Sequence, residues 1–334
     1  MNITRKNNRV TGKHIYISKL TKKRIKEGSK LHKQLEKVYI PPAYKNVEMS
    51  SNPKEKIQAI GLDTKNRKQY IYNKDYIEEQ KVIKFKDLIH FGRKIKRIRR
   101  DILKILESCE NNNSRVNSRN CVIALIIYLI DKCNFRVGNE KYKKLYNSYG
   151  VTTLNSNHLK KLTNSYKIKF IGKKGVENKS VVKNKMIIKL LDNLCSIYGN
   201  QEYLFCYFDE KTNNTYRINE KHINDFLKKY HSTISVKMFR TWTANHILLR
   251  ELMILDIPNN EKDAKKNINI AITKAASNMH HTKNVSKKSY MNNELIELYL
   301  NNFKLFEKKI LSLKKPNGNF PTIDRLLNLI LKDL

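Results

Sequence analysis

The sequence predicts an α+β fold, in which a small β-rich domain over residues 1–80 precedes a mainly helical domain over residues 81–334. Before about residue 80, apolar and polar residues alternate in short runs, which is typical of half-buried strands. From about residue 84, apolar residues recur every three or four positions with lysine and arginine between them, which is typical of amphipathic helices. At 334 residues the chain is also longer than a single hydrophobic core usually supports.

Short strands and turns account for most of the N-terminal domain. One helical stretch is expected at about residues 22–37, and Pro41 with Pro42 stops any helix there. Residues 63–67 form a polar turn, and a short basic linker near residues 75–83 is expected to join the domains. The predicted strands are residues 13–17, 38–40, 56–61 and 69–72.

Helices dominate the second domain, with one short interruption. An amphipathic helix from about residue 84 to residue 105 leads to a polar loop at residues 111–113. Residues 166–182 alternate instead, and Gly172 with Gly175 brackets a tight turn, so a hairpin or small sheet is expected there. The remaining predicted helices are residues 121–131, 183–196, 219–230, 236–255, 261–278, 293–313 and 323–331.

The charge of the chain indicates nucleic acid as its partner. Lysine and arginine total 68 against 30 aspartates and glutamates, a formal net charge of +38. A domain this basic repels itself unless a polyanion is bound, and a nucleic acid is the usual polyanion. Membrane attachment is not expected, because no run reaches the roughly 18 apolar residues of a membrane helix and no signal or lipid-anchor motif is present.

The sequence lacks the motifs of several common enzyme classes and metal sites. The five cysteines are odd in number and form no CxxC pair, which argues against disulfides and a zinc site and fits a reducing compartment. The chain has no GxxxxGKS or GxxxxGKT loop, no GxSxG and no HExxH. No acidic cluster suggests a two-metal nuclease. We therefore expect no metal and no cofactor, and phosphate chemistry carried out by side chains alone.

Five residues of the second domain, in a fixed order, could supply that chemistry. Taken singly, each has an ordinary alternative, since a lone arginine usually pairs with a carboxylate or a phosphate and most tyrosines and histidines are structural. The neighbouring His280 also leaves the register of the histidine open. The five residues are Arg136, Lys173, Arg240, His281 and Tyr290, the last two nine positions apart.

This order of residues resembles that of the type IB DNA topoisomerases, and in particular the compact poxvirus-type enzymes of viruses and bacteria. Three segments of the N-terminal domain are similar to the DNA-clamping domain of that family: residues 40–44 (IPPAY), 56–61 (KIQAIG) and 67–72 (RKQYIY). The resemblance extends from about Val38 to Tyr290 and is looser beyond residue 291. It implies the fold that tyrosine recombinases and type IB topoisomerases share.

The resemblance implies an enzyme that relaxes supercoiled duplex DNA by cutting and religating one strand through a 3′-phosphotyrosyl link, without ATP or metal. Tyr290 would be the nucleophile, and Lys173 the general acid that protonates the departing 5′-oxygen. Arg136, Arg240 and His281 would stabilise the charge that develops on the nonbridging oxygens, a task that suits a planar guanidinium. The enzyme is expected to act as a monomer on double-stranded DNA, with no obligate protein partner.

Further residues are assigned from the same resemblance. Lys237 precedes Arg240 by three positions, and it would assist proton transfer, contact a phosphate or simply be solvated. Tyr70 and Tyr72 share one face of a predicted strand, where they would contact DNA or form a cross-strand aromatic pair. The predicted DNA contacts are Arg67, Gln69, Tyr70, Tyr72 and Tyr142.

Two other functions stay open at this point. A tyrosine site-specific recombinase shares the chemistry, but it usually carries histidine where this chain has Lys237. A non-catalytic architectural DNA-binding protein would share the charge but would not need the five residues. The expected location is intracellular, in the virion or the cytoplasm of an infected host if the chain is viral, and otherwise in the cytoplasm or nucleoid.

Overall fold

The computed structural model describes residues 1–7, 14–112 and 116–334, and it divides into two compact units, Met1–Lys84 and Phe85–Leu334. A sheet forms the basis of the first unit, and helices predominate in the second. The α+β class predicted from the sequence is confirmed. Among the described residues, no helix is long and apolar enough to cross a bilayer.

An antiparallel sheet of five strands forms most of the first unit. The strands are β1 (Ile3–Asn7), β2 (His14–Ser18), β3 (Lys45–Met49), β4 (Ile57–Leu62) and β5 (Lys68–Tyr72). Their spatial order is β2-β1-β3-β4-β5, and a short helix, α1 (Lys30–Glu36), accompanies them. The core residues are Ile3, Tyr16, Leu35, Ile40, Val47, Met49 and Ala59.

The sequence predicted three of these strands and missed β1 and β3. In β1 the buried position two residues after Ile3 is taken by Arg5, so the alternation of apolar and polar residues is hidden. The predicted strand at residues 38–40 is wrong, because the amide of Val38 donates to the carbonyl of Leu35 (3.2 Å) and the segment is a bend followed by irregular backbone. Lys13, the first residue of the predicted strand 13–17, lies outside the described residues.

The predicted helix over residues 22–37 is shorter in the structure. Lys22 (φ 61°) and Gly28 (φ 75°) adopt left-handed backbone conformations, which a continuous right-handed helix does not permit. Helix α1 begins only after Ser29, whose hydroxyl accepts a hydrogen bond from the amide of His32 (3.2 Å). The first eight residues of the predicted helix, residues 22–29, therefore lie outside α1.

A long helix replaces the linker that was expected at residues 75–83. Helix α2 (Lys74–Asn111) begins within the first unit and buries an apolar stripe that runs from Leu88 to Leu106. Asn111 is its last residue, so the predicted loop at residues 111–113 begins one residue later; Asn113 lies outside the described residues.

The further elements of the second unit are short. The helices are α3 (Arg119–Cys133), α4 (Glu140–Tyr146), α5 (Lys185–Tyr198), α6 (Glu220–Leu227), α7 (Lys237–Ile254), α8 (Glu261–Asn278), α9 (Lys283–Ser289), α10 (Asn293–Asn301), α11 (Phe303–Ser312) and α12 (Ile323–Asp333). The strands are β6 (Leu159–Leu162), β7 (Ser165–Ile171) and β8 (Glu177–Val182) in one antiparallel sheet, and β9 (Cys206–Asp209) and β10 (Asn214–Arg217) in another. Helix α3 is buried on every side over residues 121–127, so it lies at the centre of the core.

Helices α4 and α9 and strands β9 and β10 were not predicted, and two predicted elements of this unit differ in the structure. The hairpin expected at residues 166–182 is confirmed as β7 and β8, but β6 adds a third strand. The single helix expected at residues 293–313 is two helices. Asn302 (φ −152°, ψ 67°) leaves helical geometry, and its side-chain oxygen accepts from the amide of Leu305 (3.0 Å), which starts α11.

The C-terminal helix α12 is tied to α7 and α2 by a polar network. The indole nitrogen of Trp242 in α7 donates to Asp324 at the start of α12 (2.6 Å). Arg99 of α2 donates to Asp324 (2.7 Å) and, through two nitrogens, to Asp131 of α3 (2.9 Å each). The segment after Tyr290 therefore serves to hold α7 in place.

Gly92 is the point of closest approach among α2, α7 and α12. A methyl group on its Cα would lie 2.3 Å from Trp242 Cη2 and 2.4 Å from Asn328 Nδ2. We expect Gly92→Ala to lower the free energy of unfolding by about 1–3 kcal/mol in urea denaturation, even though alanine favours helix. Lys96→Ala, at an exposed position of α2, is the control and should change it by less than about 0.5 kcal/mol. Equal stability of the two variants would contradict this packing.

Candidate active site

Tyr290 is held by its main chain against helix α7. It is the residue that ends α9, and its amide donates to the carbonyl of Ser286 (3.1 Å). The side chain of Asn245, fully buried in α7, donates to the Tyr290 carbonyl (2.8 Å) and accepts from the amide of Asn292 (2.7 Å). The backbone that follows the Tyr290 side chain, at the Tyr290 carbonyl and the Asn292 amide, is thereby fixed to one side chain.

Arg240 lies in the first turn of α7 with 4% of its surface exposed. Its Nη2 donates to the carbonyl of Met279 (2.8 Å), and its guanidinium carbon lies 5.6 Å from the centre of the Tyr290 ring. The Nε and Nη1 groups are also buried, and among the described residues neither has an acceptor in good hydrogen-bond geometry. Burial and then the charge of Arg136 lower the pKa of Arg240 to about 10, so it stays cationic at neutral pH.

Arg136 lies in the loop between α3 and α4, which is shaped by close backbone contacts. Asn134 (φ 56°) ends α3, and Gly138 (φ 102°) needs a left-handed conformation that glycine adopts freely. The carbonyl of Arg136 accepts from the amide of Val151 (2.9 Å), and a Cβ on Gly150 would lie only 2.4 Å from the Gly138 nitrogen. The loop is therefore set by backbone packing, and the guanidinium is left half-buried beside the site.

The two arginines change the acidity of Tyr290. Burial alone raises the pKa of the phenol, but the charges of Arg240 and Arg136 and their hydrogen bonds lower it by more, so that it falls below its ordinary value. The phenolate is the nucleophilic form of tyrosine, so this shift favours attack.

His281 lies flat against the Tyr290 ring. The two rings are stacked with centroids 4.7 Å apart at 23°. Burial, Arg240 and Arg136 lower the pKa of His281 to about 3, so the imidazole is neutral. His280 (φ 54°) instead places its ring 6.0 Å from Phe135, so the structure assigns the position next to Tyr290 to His281.

Lys173 lies in the turn between β7 and β8, at the point predicted from the sequence. Lys174 (φ 66°) and Gly175 (φ 76°) form the tight bend, and Lys173 itself is exposed. Partial burial of its ammonium and repulsion by Arg136 lower the pKa of Lys173, and Tyr290 opposes this shift. The hairpin thus places an amine within electrostatic range of both residues.

Lys237 is the first residue of α7, with 76% of its side chain exposed. Its ammonium lies 3.0 Å from Glu220 Oε1 of α6. It also contributes to the lowered pKa of Lys173, so it lies near the edge of the same cluster. In this ion pair the ammonium of Lys237 is held by Glu220, so it would have to leave Glu220 in order to transfer a proton in the site.

The predicted DNA contacts of the first unit fall into two groups. Tyr70 and Tyr72 are exposed and stacked along one strand (6.3 Å), and Tyr76 continues the stack (5.8 Å). Tyr70 and Tyr72 are paired across the sheet with aliphatic residues, so the alternative of a cross-strand aromatic pair is wrong. Arg67 and Gln69 both donate to Asp63 Oδ2, at 2.7 and 3.0 Å.

Tyr142 occupies an exposed face of α4, in the second unit. Half of its surface is accessible, and its ring lies 5.9 Å from that of Tyr146. The other side of α4 is held by ion pairs, from Lys143 to Glu202 (2.7 Å) and from Arg217 to Glu140 (2.9 Å). Tyr142 is therefore presented to solvent by an anchored helix.

Three residues of these clusters were not predicted from the sequence. Asn245 and Ser286 act on neighbours through main-chain or ring-nitrogen contacts, which no residue pattern records. Tyr76 could have been included, because it follows Tyr72 by four residues at the start of a helix. Among the described residues, no group of three or more His, Cys, Asp or Glu side chains is placed to hold a metal ion.

A helical unit with two arginines and a neutral histidine around one tyrosine suits an enzyme that cleaves phosphodiesters with that tyrosine. The family model described as the catalytic core of eukaryotic DNA topoisomerase I matches residues 66–317. The model described as the N-terminal domain of bacterial DNA topoisomerase IB matches residues 16–63.

Viral enzymes are among the relatives of this chain. DNA topoisomerase 1B of Acanthamoeba polyphaga mimivirus is 33% identical over 278 residues, which cover 82% of this chain and 81% of that protein. DNA topoisomerase 1B of vaccinia virus (strain Copenhagen) is 26% identical over 247 residues, covering 72% of this chain and 71% of that protein. The chain belongs to the type IB DNA topoisomerases, isomerases that act on DNA. The predicted family and enzyme class are thus confirmed, and the recombinase and architectural alternatives are set aside.

Asn245 offers a test of how Tyr290 is positioned. Asn245→Ala removes both hydrogen bonds to the backbone around Tyr290 and should slow single-turnover DNA cleavage roughly 10- to 100-fold, the cost of a small misplacement of a reacting group. Asn278→Ala is the control and should cleave at the normal rate, because among the described residues the Asn278 side chain donates only to the carbonyl of Lys274 in its own helix. Normal cleavage by Asn245→Ala would show that Tyr290 is held by other contacts.

Proposed function

We propose that the chain relaxes supercoiled duplex DNA by cutting one strand with Tyr290 and then resealing it. The observation that supports this most is the environment of Tyr290, whose ring stacks on His281 and whose pKa is lowered, against the effect of burial, by Arg240 and Arg136. A tyrosine in a purely structural role gains nothing from such surroundings.

In the cleavage step, the Tyr290 oxygen attacks the scissile phosphorus and forms a new P–O bond. The phenolic proton is lost to solvent, and the bond from phosphorus to the 5′-oxygen breaks. The products are a 3′-phosphotyrosyl link and a free 5′-hydroxyl. Religation is the same reaction in reverse, and because the link retains the energy of the broken bond, neither step needs ATP.

Arg136, Arg240 and His281 would stabilise the nonbridging oxygens during this step. The buried Nε and Nη1 groups of Arg240 are donors that a phosphate oxygen can satisfy, and buried donors are worth most in a site from which water is excluded. His281 is neutral and would act as a hydrogen-bond donor without adding charge.

Lys173 would protonate the departing 5′-oxygen. An alkoxide is a poor leaving group, so a proton donor is required, and a lysine whose pKa is lowered gives up its proton more readily than an ordinary one. Lys237 is the rival proton donor, but its ammonium would first have to leave the ion pair with Glu220.

The two units would divide the work of binding. The first would serve as a DNA-clamping domain through Arg67, Gln69, Tyr70 and Tyr72, and the second, which carries Tyr142, as the catalytic domain. The exposed stack of tyrosines offers flat faces and hydroxyls to the DNA backbone. We further propose that the enzyme acts as a monomer without an obligate protein partner, inside the cell or the infected host cell.

Replacing Tyr290 tests the covalent step. The unaltered chain should relax supercoiled plasmid in EDTA without ATP and leave a protein–DNA adduct on a denaturing gel. Tyr290→Phe should bind DNA with similar affinity but relax nothing and form no adduct. Tyr299→Phe, a buried tyrosine whose hydroxyl bonds only to Asn267 (2.9 Å) among the described residues, is the matched control and should retain both activities. An adduct formed by Tyr290→Phe would assign the nucleophile to another residue.

Sulfur substitution tests the role of Lys173. A 5′-bridging phosphorothiolate has a thiolate leaving group, which departs without a proton. Lys173→Ala should therefore cleave ordinary DNA at least ~10²-fold more slowly than the unaltered chain, which is in the usual range for loss of a general acid. It should cleave the sulfur substrate at a nearly normal rate. Arg136→Ala should be slow on both substrates, because its target is the nonbridging charge. Selective rescue of Lys237→Ala, with Lys173→Ala still slow on sulfur, would assign the proton to Lys237.

A further inference from the structure

Ser286 connects the two residues that stack at the centre of the site. It lies in α9 with none of its surface exposed, and its hydroxyl oxygen is 2.9 Å from Nδ1 of His281. Its carbonyl accepts from the amides of Tyr290 (3.1 Å) and Met291 (3.2 Å). One buried residue thus holds the histidine through its side chain and the nucleophile through its backbone.

The other ring nitrogen of His281 has no such partner. Nε2 is buried, and among the described residues it has no hydrogen-bond partner. A neutral imidazole carries a single N–H, and the hydrogen bond at one nitrogen decides which nitrogen bears it. A nonbridging phosphate oxygen can only accept, so His281 is useful to it only if the proton is on Nε2.

We propose that Ser286 is a positioning residue that donates its hydroxyl proton to Nδ1 of His281 and thereby keeps the imidazole N–H on Nε2, ready for a phosphate oxygen. This rests on the proposed role of His281. With the opposite tautomer, Nε2 would present a lone pair to an anionic oxygen and the contact would be repulsive. Ser286 does not touch the reacting atoms and acts only through the histidine.

If Ser286 had only a structural role, its hydroxyl would be expected to make a different contact. A serine inside a helix can donate its hydroxyl proton to the carbonyl four residues earlier, here that of Thr282. That carbonyl already accepts from the Ser286 amide (3.0 Å), and the Ser286 hydroxyl lies instead against Nδ1 of His281 (2.9 Å). If the hydroxyl only filled space, alanine at this position would leave cleavage unchanged.

A double-mutant cycle separates these roles. Ser286→Ala should slow single-turnover cleavage about 10- to 100-fold, as is usual when the partner that orients a functional side chain is lost. The double variant Ser286→Ala/His281→Ala should be no slower than His281→Ala alone, since Ser286 has nothing to act on once the imidazole is gone. If the fold-decreases in cleavage rate of the two single variants multiplied in the double variant, the proposal would be overturned.

Two further measurements keep the outcome clear. Nitrogen-15 NMR of labelled histidine should show His281 protonated at Nε2 in the unaltered protein and a mixture of tautomers in Ser286→Ala; protonation at Nδ1 in the unaltered protein would overturn the proposal. Thr282→Ala removes the N-terminal cap of α9, where the Thr282 hydroxyl accepts from the amide of Val285 (3.4 Å), and serves as the control for a loosened helix. Its effect should multiply with that of His281→Ala and leave the tautomer unchanged.

The failure of this inference and that of the proposed function can be told apart. If His281→Ala cleaves at the normal rate, the role of the histidine is wrong and the role of Ser286 falls with it. If His281→Ala is slow while Ser286→Ala is normal, only the role of Ser286 is wrong.

Discussion

The guanidinium of Arg240 is buried beside Tyr290 and, among the described residues, has no carboxylate partner. A cation taken out of water is costly unless other groups replace its solvation, and here the Met279 carbonyl and the Tyr290 phenol do so only in part. The incomplete solvation of the guanidinium is the main reason why the pKa of Arg240 is lowered. A phosphodiester is an anion that would complete this solvation, so under the proposed function the buried charge of Arg240 would be offset when DNA binds.

Helix α7 gives this cation a fixed position because its neighbouring side chains bind three different parts of the unit. Arg240 reaches the end of α8, Trp242 donates to Asp324 of α12, and Asn245 holds the backbone of Tyr290. Residues beyond Tyr290 are thus part of the support for α7, since Asp324 also accepts a hydrogen bond from Arg99 of α2. A rigid support is needed because a transition state is stabilised only by donors that are already in place.

Hydrophobic period predicted the fold class and most helices, and the order of arginine, lysine, arginine, histidine and tyrosine predicted which side chains would converge. Three kinds of feature could not be predicted in this way. The break at Asn302 depends on one backbone conformation. In strand β1 the charged residue Arg5 takes a buried position, so the sequence there lacks the alternation of a half-buried strand. The choice between His280 and His281 depends on a left-handed residue that only the folded chain reveals. Ser286 makes its contact through a ring nitrogen, which leaves no trace in residue spacing.

The protonation states of the site are coupled through the charges of Arg136 and Arg240. In the free protein they lower the pKa of Tyr290 against the effect of burial, and Arg136 adds to burial in lowering the pKa of Lys173. A phosphodiester held by the arginines would offset part of their charge, so the pKa of Lys173 would rise and the amine would keep its proton until the 5′-oxygen leaves. The same anion would raise the pKa of Tyr290, so the phenolic proton has to leave as attack proceeds. In the proposed step the negative charge would then pass from the phenolate oxygen to the phosphoryl oxygens, where the two arginines would stabilise it.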